Sequence, residues 1–189
     1  AIEIGTLQYA AAQRLSDNYP QIPFPEGWKA NLLGVDLNLQ YPAGWLRARE
    51  IKFSQGYTRP GPRDYVGRAP LNQRESIALA DFTQEIDPAL VLAYHTQGKV
   101  IYWQFQDYAV PGARALGEEF ARLSGYELSD TPYESSFAGY KDWFIQKFRR
   151  PGYTIEAGSG QNPLPIEQFP EIYRDNLGIL VTAALGLPH

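Results

Sequence analysis

The sequence predicts an α/β fold, on three observations. Two apolar, strand-forming runs, at 90–94 (LVLAY) and 100–105 (VIYWQF), are too short for helices and rich in β-branched and aromatic residues. Stretches with apolar residues at helical spacing lie before and after them. A third short run, YTI at 153–155, comes after two of those stretches. Strands interleaved with helices point to a sheet carrying helices rather than to a bundle or sandwich.

Taken in order, residues 6–15 place Leu7, Ala11 and Leu15 on one side of a short helix. Residues 16–30 hold Pro20, Pro23, Pro25 and Gly27 and predict an irregular path. In residues 34–39, Val35, Leu37 and Leu39 alternate with Asp36 and Asn38, the pattern of a short extended element with one polar face. Residues 41–70 are rich in proline and glycine and predict a long loop with one short helix near 46–51, of a kind often used at a substrate face. Asn72 and Glu75 have the spacing of a capping box, and Ile77, Ala78, Leu79, Phe82 and Ile86 give the helix after it a broad apolar stripe.

Residues 96–99 (TQGK) form the only turn between the two central runs. A helix over about 112–124 carries Leu116, Phe120 and Leu123 and stops at Gly125. Another over about 136–148 carries Phe137, Tyr140, Phe144 and Phe148 and is broken by Pro151 and Gly152. Pro170 suits the first turn of a last helix whose apolar residues are Ile172, Leu177, Leu180, Val181 and Ala184. No repeat or linker interrupts the chain.

Composition narrows the function. A chain of 189 residues with 44% hydrophobic and 14% aromatic content is a globular body, not a disordered one. A net charge of −4, with no basic cluster beyond Lys147, Arg149 and Arg150, argues against nucleic acid as a partner. The absence of cysteine removes disulfides and thiolate metal sites, and no apolar run reaches the roughly 18 residues of a membrane span. No Gly-rich phosphate loop, G-x-S-x-G elbow or H-E-x-x-H helix is present.

Two residues stand where chemistry is usually placed. His95 ends the first central strand, where α/β sheets expose their ligand crevice, and it is the only histidine besides His189. Its imidazole could be a metal ligand, a proton carrier or a structural hydrogen-bonding ring. Glu156 comes after the last apolar run and precedes Ala157 and Gly158, a setting that would desolvate a carboxylate and raise its pKa as a general base requires. A salt-bridged glutamate at a strand end is the alternative.

The segments WKANLLGVDLN (28–38), AYHTQG (93–98), YKDWF (140–144) and YTIEAG (153–158), with Glu156 fourteen positions after Asp142, resemble the second half of the zinc metallocarboxypeptidase family. Within it they are most similar to the bacterial gamma-D-glutamyl-L-diamino acid endopeptidases, which cut peptidoglycan stem peptides. The resemblance spans nearly the whole chain. It implies a three-layer, mixed-sheet metallocarboxypeptidase-like fold lacking its N-terminal strands, so that residues 1–189 would be the C-terminal portion of a single peptidase catalytic domain. The sheet's last four strands would lie around 90–95, 100–105, 126–128 and 152–156.

The resemblance also implies roles. His95 matches the third zinc ligand, and Glu156 matches the glutamate that activates water at the zinc and shuttles its proton. Lys29 stands where the family usually has the arginine that stabilises the oxyanion; it keeps the charge without the planar fork. Asn38 matches the asparagine that helps hold the substrate carboxylate, but the arginine normally after it is Leu39. That loss favours cutting inside a peptide or recognising another carboxylate, unless a different arginine compensates. Tyr133 is the choice for the phenol that closes over substrate, although it lies ten positions before Trp143, one more than the family pattern; Tyr126 is the lesser candidate. Lys141 falls at the pocket for the side chain after the scissile bond, where a cation would meet the distal carboxylate of diaminopimelate.

The family's first two zinc ligands come from a His-x-x-Glu motif, and residues 1–37 contain no histidine. Two further Zn²⁺ ligands are therefore expected from an upstream segment, because a catalytic zinc takes three protein ligands. Residues 1–189 alone would be inactive. They are expected to leave the edge of the strand before Glu156 open, and to need their N-terminal half or self-association. The expected partner is a peptidoglycan stem peptide; a wall, spore or secreted location is favoured, with the cytoplasm open. A non-catalytic wall-peptide binding module, or a metallocarboxypeptidase of other specificity, is the alternative function.

Overall fold

The computed structural model describes residues 3–186, so His189 lies outside the described residues. Six helices are described: α1 (Leu7–Ser16), α2 (Trp45–Ser54), α3 (Arg74–Ile86), α4 (Ala113–Ser124), α5 (Tyr140–Phe148) and α6 (Phe169–Leu185). Four strands accompany them: β1 (Val91–His95), β2 (Val100–Tyr102), β3 (Glu127–Ser129) and β4 (Gly152–Glu156). The chain divides into two compact units, one running to Asp87 and including Tyr133–Trp143, the other holding Pro88–Pro132 and the chain from Phe144 onward. None of the described helices is long and apolar enough to cross a membrane.

In the first unit, Thr6 caps α1 by accepting a hydrogen bond from Tyr9 N at 3.1 Å. The alternation at 34–39 does not give a strand. Leu37–Leu39 is a 3₁₀ turn capped by Asp36, whose Oδ1 accepts from Asn38 N at 3.3 Å, and the carboxylate's pull on that amide outcompetes extension. The Asn72–Glu75 capping box is also not made. The cap position is Gln73, Asn72 accepts from the Gln73 side chain, and Glu75 accepts from Asn31.

On α3 the expected apolar stripe lies outward. Ser76, Ala80 and Thr83 form the buried face, with Thr83 Oγ1 2.9 Å from Tyr140 Oη, while Ile77, Leu79, Phe82 and Ile86 are exposed. Tyr41 packs between Tyr140 and Trp143, at ring distances of 5.4 and 5.6 Å. The helix expected from 136 begins at Tyr140 instead, with Phe137 buried ahead of it.

The second unit is built on one four-stranded sheet in the order β1-β4-β2-β3. β1 and β4 pair in parallel, as do β2 and β3, while β2 runs antiparallel to β4. The β4 strand is thus interior, and the edges are β1 and β3, not the strand before Glu156; the chain returns from α5 between two strands already laid down. β2 ends at Tyr102, earlier than the apolar run suggests, because the chain leaves the sheet to bury Phe105.

One face of this sheet carries the core. Ile101, Tyr153 and Ile155 pack with Leu116 and Phe120 of α4 and Ile179 of α6, each fully buried aliphatic or aromatic side chain stabilising the fold by about 1.5–3 kcal/mol. Gly117 lets α4 approach β3, since a Cβ there would sit 2.8 Å from Leu128 Cδ1. Buried Tyr153 satisfies its hydroxyl by donating to Ala113 O at 2.7 Å. α6 begins with Pro170 in its first turn, as expected, but buries Asn176 and Ile179 and leaves Leu177, Leu180 and Val181 exposed.

Candidate active site

Because Tyr153 and Ile155 face the helices, alternation turns Thr154 and Glu156 to the opposite face of β4. The parallel register sets His95 directly opposite Glu156 and Ala93 opposite Thr154. Register partners on adjacent strands project to the same face about 5 Å apart. An imidazole and a carboxylate therefore meet at the C-terminal ends of two parallel strands, half-buried. Val100 is the partner of Glu156 on its other side. Tyr102 shares this face, and burial, then the nearby Glu156 and Glu127 carboxylates, push its phenol above the ordinary value.

The segments that leave the two strands are tied together. Ala157 N donates to His95 O at 2.8 Å, and Gly98 N and Lys99 N donate to Gly158 O at 2.9 and 3.2 Å. Thr96 Oγ1 donates to Asn162 Oδ1 at 2.8 Å, and Asn162 Nδ2 returns a bond to Thr96 O at 2.9 Å. Tyr126, the lesser candidate for a mobile phenol, is buried under this segment, where its hydroxyl accepts from Gly158 N and Asn176 Nδ2. It is a fixed group, not a closing one.

The remaining candidates lie in the first unit. Lys29 Nζ sits 2.9 Å from Asp36 Oδ2, and buried Asp36 also accepts from Asp64 N and, through its other oxygen, from Asn38 N. One carboxylate thus gathers Lys29 and the turn bearing Asn38. Asp64 in turn pairs with Lys52 at 2.7 Å and Arg63 at 3.0 Å. Burial pushes the Asp64 carboxyl up, but the Lys52 ammonium, with Lys29 and Arg63, outweighs it and leaves the group below the usual carboxylate range.

Tyr133 is 60% exposed in a 3₁₀ turn, and its hydroxyl accepts from Arg47 Nε at 3.2 Å. Lys141, by contrast, is buried, with Nζ 2.6 Å from Asp142 Oδ1. Sequence reasoning missed Arg47, Asp36 and the Tyr126–Asn176 pair. Only Asp36 left a signal, as a lone acid inside an apolar run, which demands a partner when buried.

A tetrahedral catalytic zinc needs three protein ligands. The described residues bring no three of His, Cys, Asp and Glu together, so they do not by themselves fit that ion.

A family model described as zinc carboxypeptidase matches residues 16–178. Gamma-D-glutamyl-L-diamino acid endopeptidase 1 of Lysinibacillus sphaericus is 55% identical over 157 residues, covering 82% of this chain and 38% of that protein. The uncharacterized protein YqgT of Bacillus subtilis (strain 168) is 43% identical over 168 residues, 89% of this chain and 43% of its own length. The chain therefore spans about two fifths of these relatives. Among solved structures, murein-tripeptide amidase MpaA from Escherichia coli O157 aligns with a TM-score of 0.59 and 22% identity over 93% of this chain and 67% of its own. Bovine thrombin-activatable fibrinolysis inhibitor, in complex with tick carboxypeptidase inhibitor, aligns with a TM-score of 0.60 and 15% identity over 83% of this chain and 58% of its own. At these identities the structural likeness speaks to the fold.

Proposed function

The chain belongs to the zinc carboxypeptidase family, and on that premise we propose that the whole protein hydrolyses peptidoglycan stem peptides between gamma-D-glutamate and the diamino acid after it. Residues 1–189 would form the C-terminal portion of a single catalytic domain. The register of β1 against β4, which pairs His95 with Glu156 on one sheet face, is the observation that carries this reading. The 55% identity to a protein named for that activity supports the choice of bond.

Glu156 is the general base. It takes a proton from water as the water oxygen bonds to the carbonyl carbon, then delivers that proton to the departing amine nitrogen as the C–N bond breaks. The products are a glutamyl carboxylate and a free amine. Lys29 supplies positive charge to the developing oxyanion, aimed by Asp36. Asn38 and Tyr133 bind substrate, with Tyr133 swinging from its contact with Arg47. Lys141 would read the diamino acid's distal carboxylate only by exchanging Asp142 for it. Leu39, where an arginine would clamp a free C-terminus, favours an internal bond. The family's zinc would use His95 as one ligand and two from outside the described residues.

The test uses the whole gene product on a synthetic stem peptide containing gamma-D-glutamyl-diaminopimelate. Chelator-sensitive cleavage at that bond is expected, and Glu156→Gln should lower kcat about 10²–10⁴-fold with little change in KM. Peptide binding without cleavage, at any metal load, would replace this reading with that of a binding module.

A further inference from the structure

Beneath Glu156 lies a buried polar network that the proposed chemistry does not use. Tyr126 and Asn176 are each 3% exposed, deep between the sheet and α6. The Tyr126 hydroxyl accepts from Gly158 N at 3.3 Å and from Asn176 Nδ2 at 3.0 Å, and Asn176 Nδ2 also donates to Ile172 O at 2.8 Å. Asn176 Oδ1 is buried with no hydrogen-bond partner. A leucine at 176 would avoid that unsatisfied oxygen, and a phenylalanine at 126 would fill the same space. Packing alone explains neither residue, because a buried polar atom left unpaired destabilises the fold.

The network reaches the peptide two residues past Glu156. Ala157 N is fixed by His95 O, and Gly158 O receives Gly98 N and Lys99 N, so the segments after β1 and β4 move as one body. Three ties fasten that body to α6 and its N-terminal cap. Lys99 Nζ pairs with Glu171 and Asp175, and the Gln168 amide exchanges bonds with Ser159, but both of these are largely at the surface and compete with water. The Tyr126–Asn176 tie is the dry one, and a hydrogen bond away from water holds geometry more firmly.

We infer that Tyr126 and Asn176 are positioning residues for Glu156: through Gly158 N they hold the end of β4, and with it the carboxylate, at a fixed height on the sheet. The inference rests on the peptidase reading for its catalytic consequence, but the clamp itself is a property of the fold. Neither residue touches substrate. Each acts through the backbone that carries the base.

The whole gene product carries the test, as wild type, Tyr126→Phe and Asn176→Leu, the second guarding against a variant that fails to fold. Amide exchange in residues 157–159 is expected to rise about tenfold, the equivalent of one net hydrogen bond, while the thermal midpoint moves by only a few degrees. On the stem peptide, kcat should fall about 10- to 100-fold, as a slightly misplaced catalytic group does, with KM unchanged. Exchange like that of wild type overturns the clamp, and faster exchange with undiminished kcat overturns the positioning role. A wild-type protein that cleaves no stem peptide removes the peptidase reading instead; the exchange comparison, read without turnover, still decides the clamp.

Discussion

Replacing Gly158 by alanine tests whether the turn after Glu156 has any slack. The residue sits at φ +73°, in the left-handed region, where an L side chain is strained by about 1–2 kcal/mol. Its Cβ would also lie 2.6 Å from Leu164 Cδ1 and 2.9 Å from both Gln168 Oε1 and Ile172 Cδ1. Leu164 can swing aside, but the Gln168 oxygen is held by Ser159 N, and Ile172 packs against the core. Overpacking of that kind costs about 1–3 kcal/mol, so the two effects together predict a loss of about 2–5 kcal/mol. Urea unfolding of the whole protein would read it as a lower midpoint at unchanged slope. Because the Gly158 amide and carbonyl are both used, relief by moving the backbone would displace Glu156 and, on the proposed peptidase reading, lower kcat as well. A variant within about 0.5 kcal/mol of wild type, the range of a neutral surface change, would mean that the turn is loose and that neither the strain nor the crowding is felt.

Charge pairing and the open surfaces give three more expected outcomes. Asp64 titrates below its unfolded value of 3.8, so the stability it contributes is fully present above that pH and is lost as pH falls through the lower folded value; Asp64→Asn should lower stability at neutral pH and flatten the acid limb of a pH–stability curve, and an unaltered limb would refute the pairing. Lys141→Gln leaves Asp142 buried without its cation and should cost about 3–5 kcal/mol; a preference for diaminopimelate over alanine that survives the change would refute Lys141 as the reader of the distal carboxylate. Residues 1–189 produced by themselves, with β1 at a sheet edge and Leu177, Leu180 and Val181 of α6 uncovered, should self-associate in sedimentation. A monomer with one sharp melting transition would count against an uncovered face.

Legibility in the sequence tracked how local the deciding physics was. Both central strands, α4 with its stop at Gly125, and Pro170 in the first turn of α6 could be read because apolar period and turn chemistry act within a few residues. The 34–39 segment misled because alternation describes a strand only if a neighbour strand exists; here a carboxylate within the run caps a turn instead. The α3 stripe misled differently. Its residues were apolar at helical spacing, but which face a helix buries is fixed by its packing partners, and Tyr140 selects the Thr83 side.

The same distinction explains the candidate site. His95 and Glu156 are 61 positions apart in the sequence, and nothing in either neighbourhood dictates that they face each other. The cause is the insertion of β4 between β1 and β2, so that the last of the described strands in the sequence is flanked by two that precede it. A parallel neighbour places strand ends side by side, and the register His95↔Glu156 then results from both strands ending at the same level. A one-residue slip would turn the carboxylate to the helix-covered face and bury it among Ile101, Phe120 and Ile179. Burying a charge there is far costlier than losing a ladder bond, so the apolar core on one side of the sheet holds the polar pair on the other.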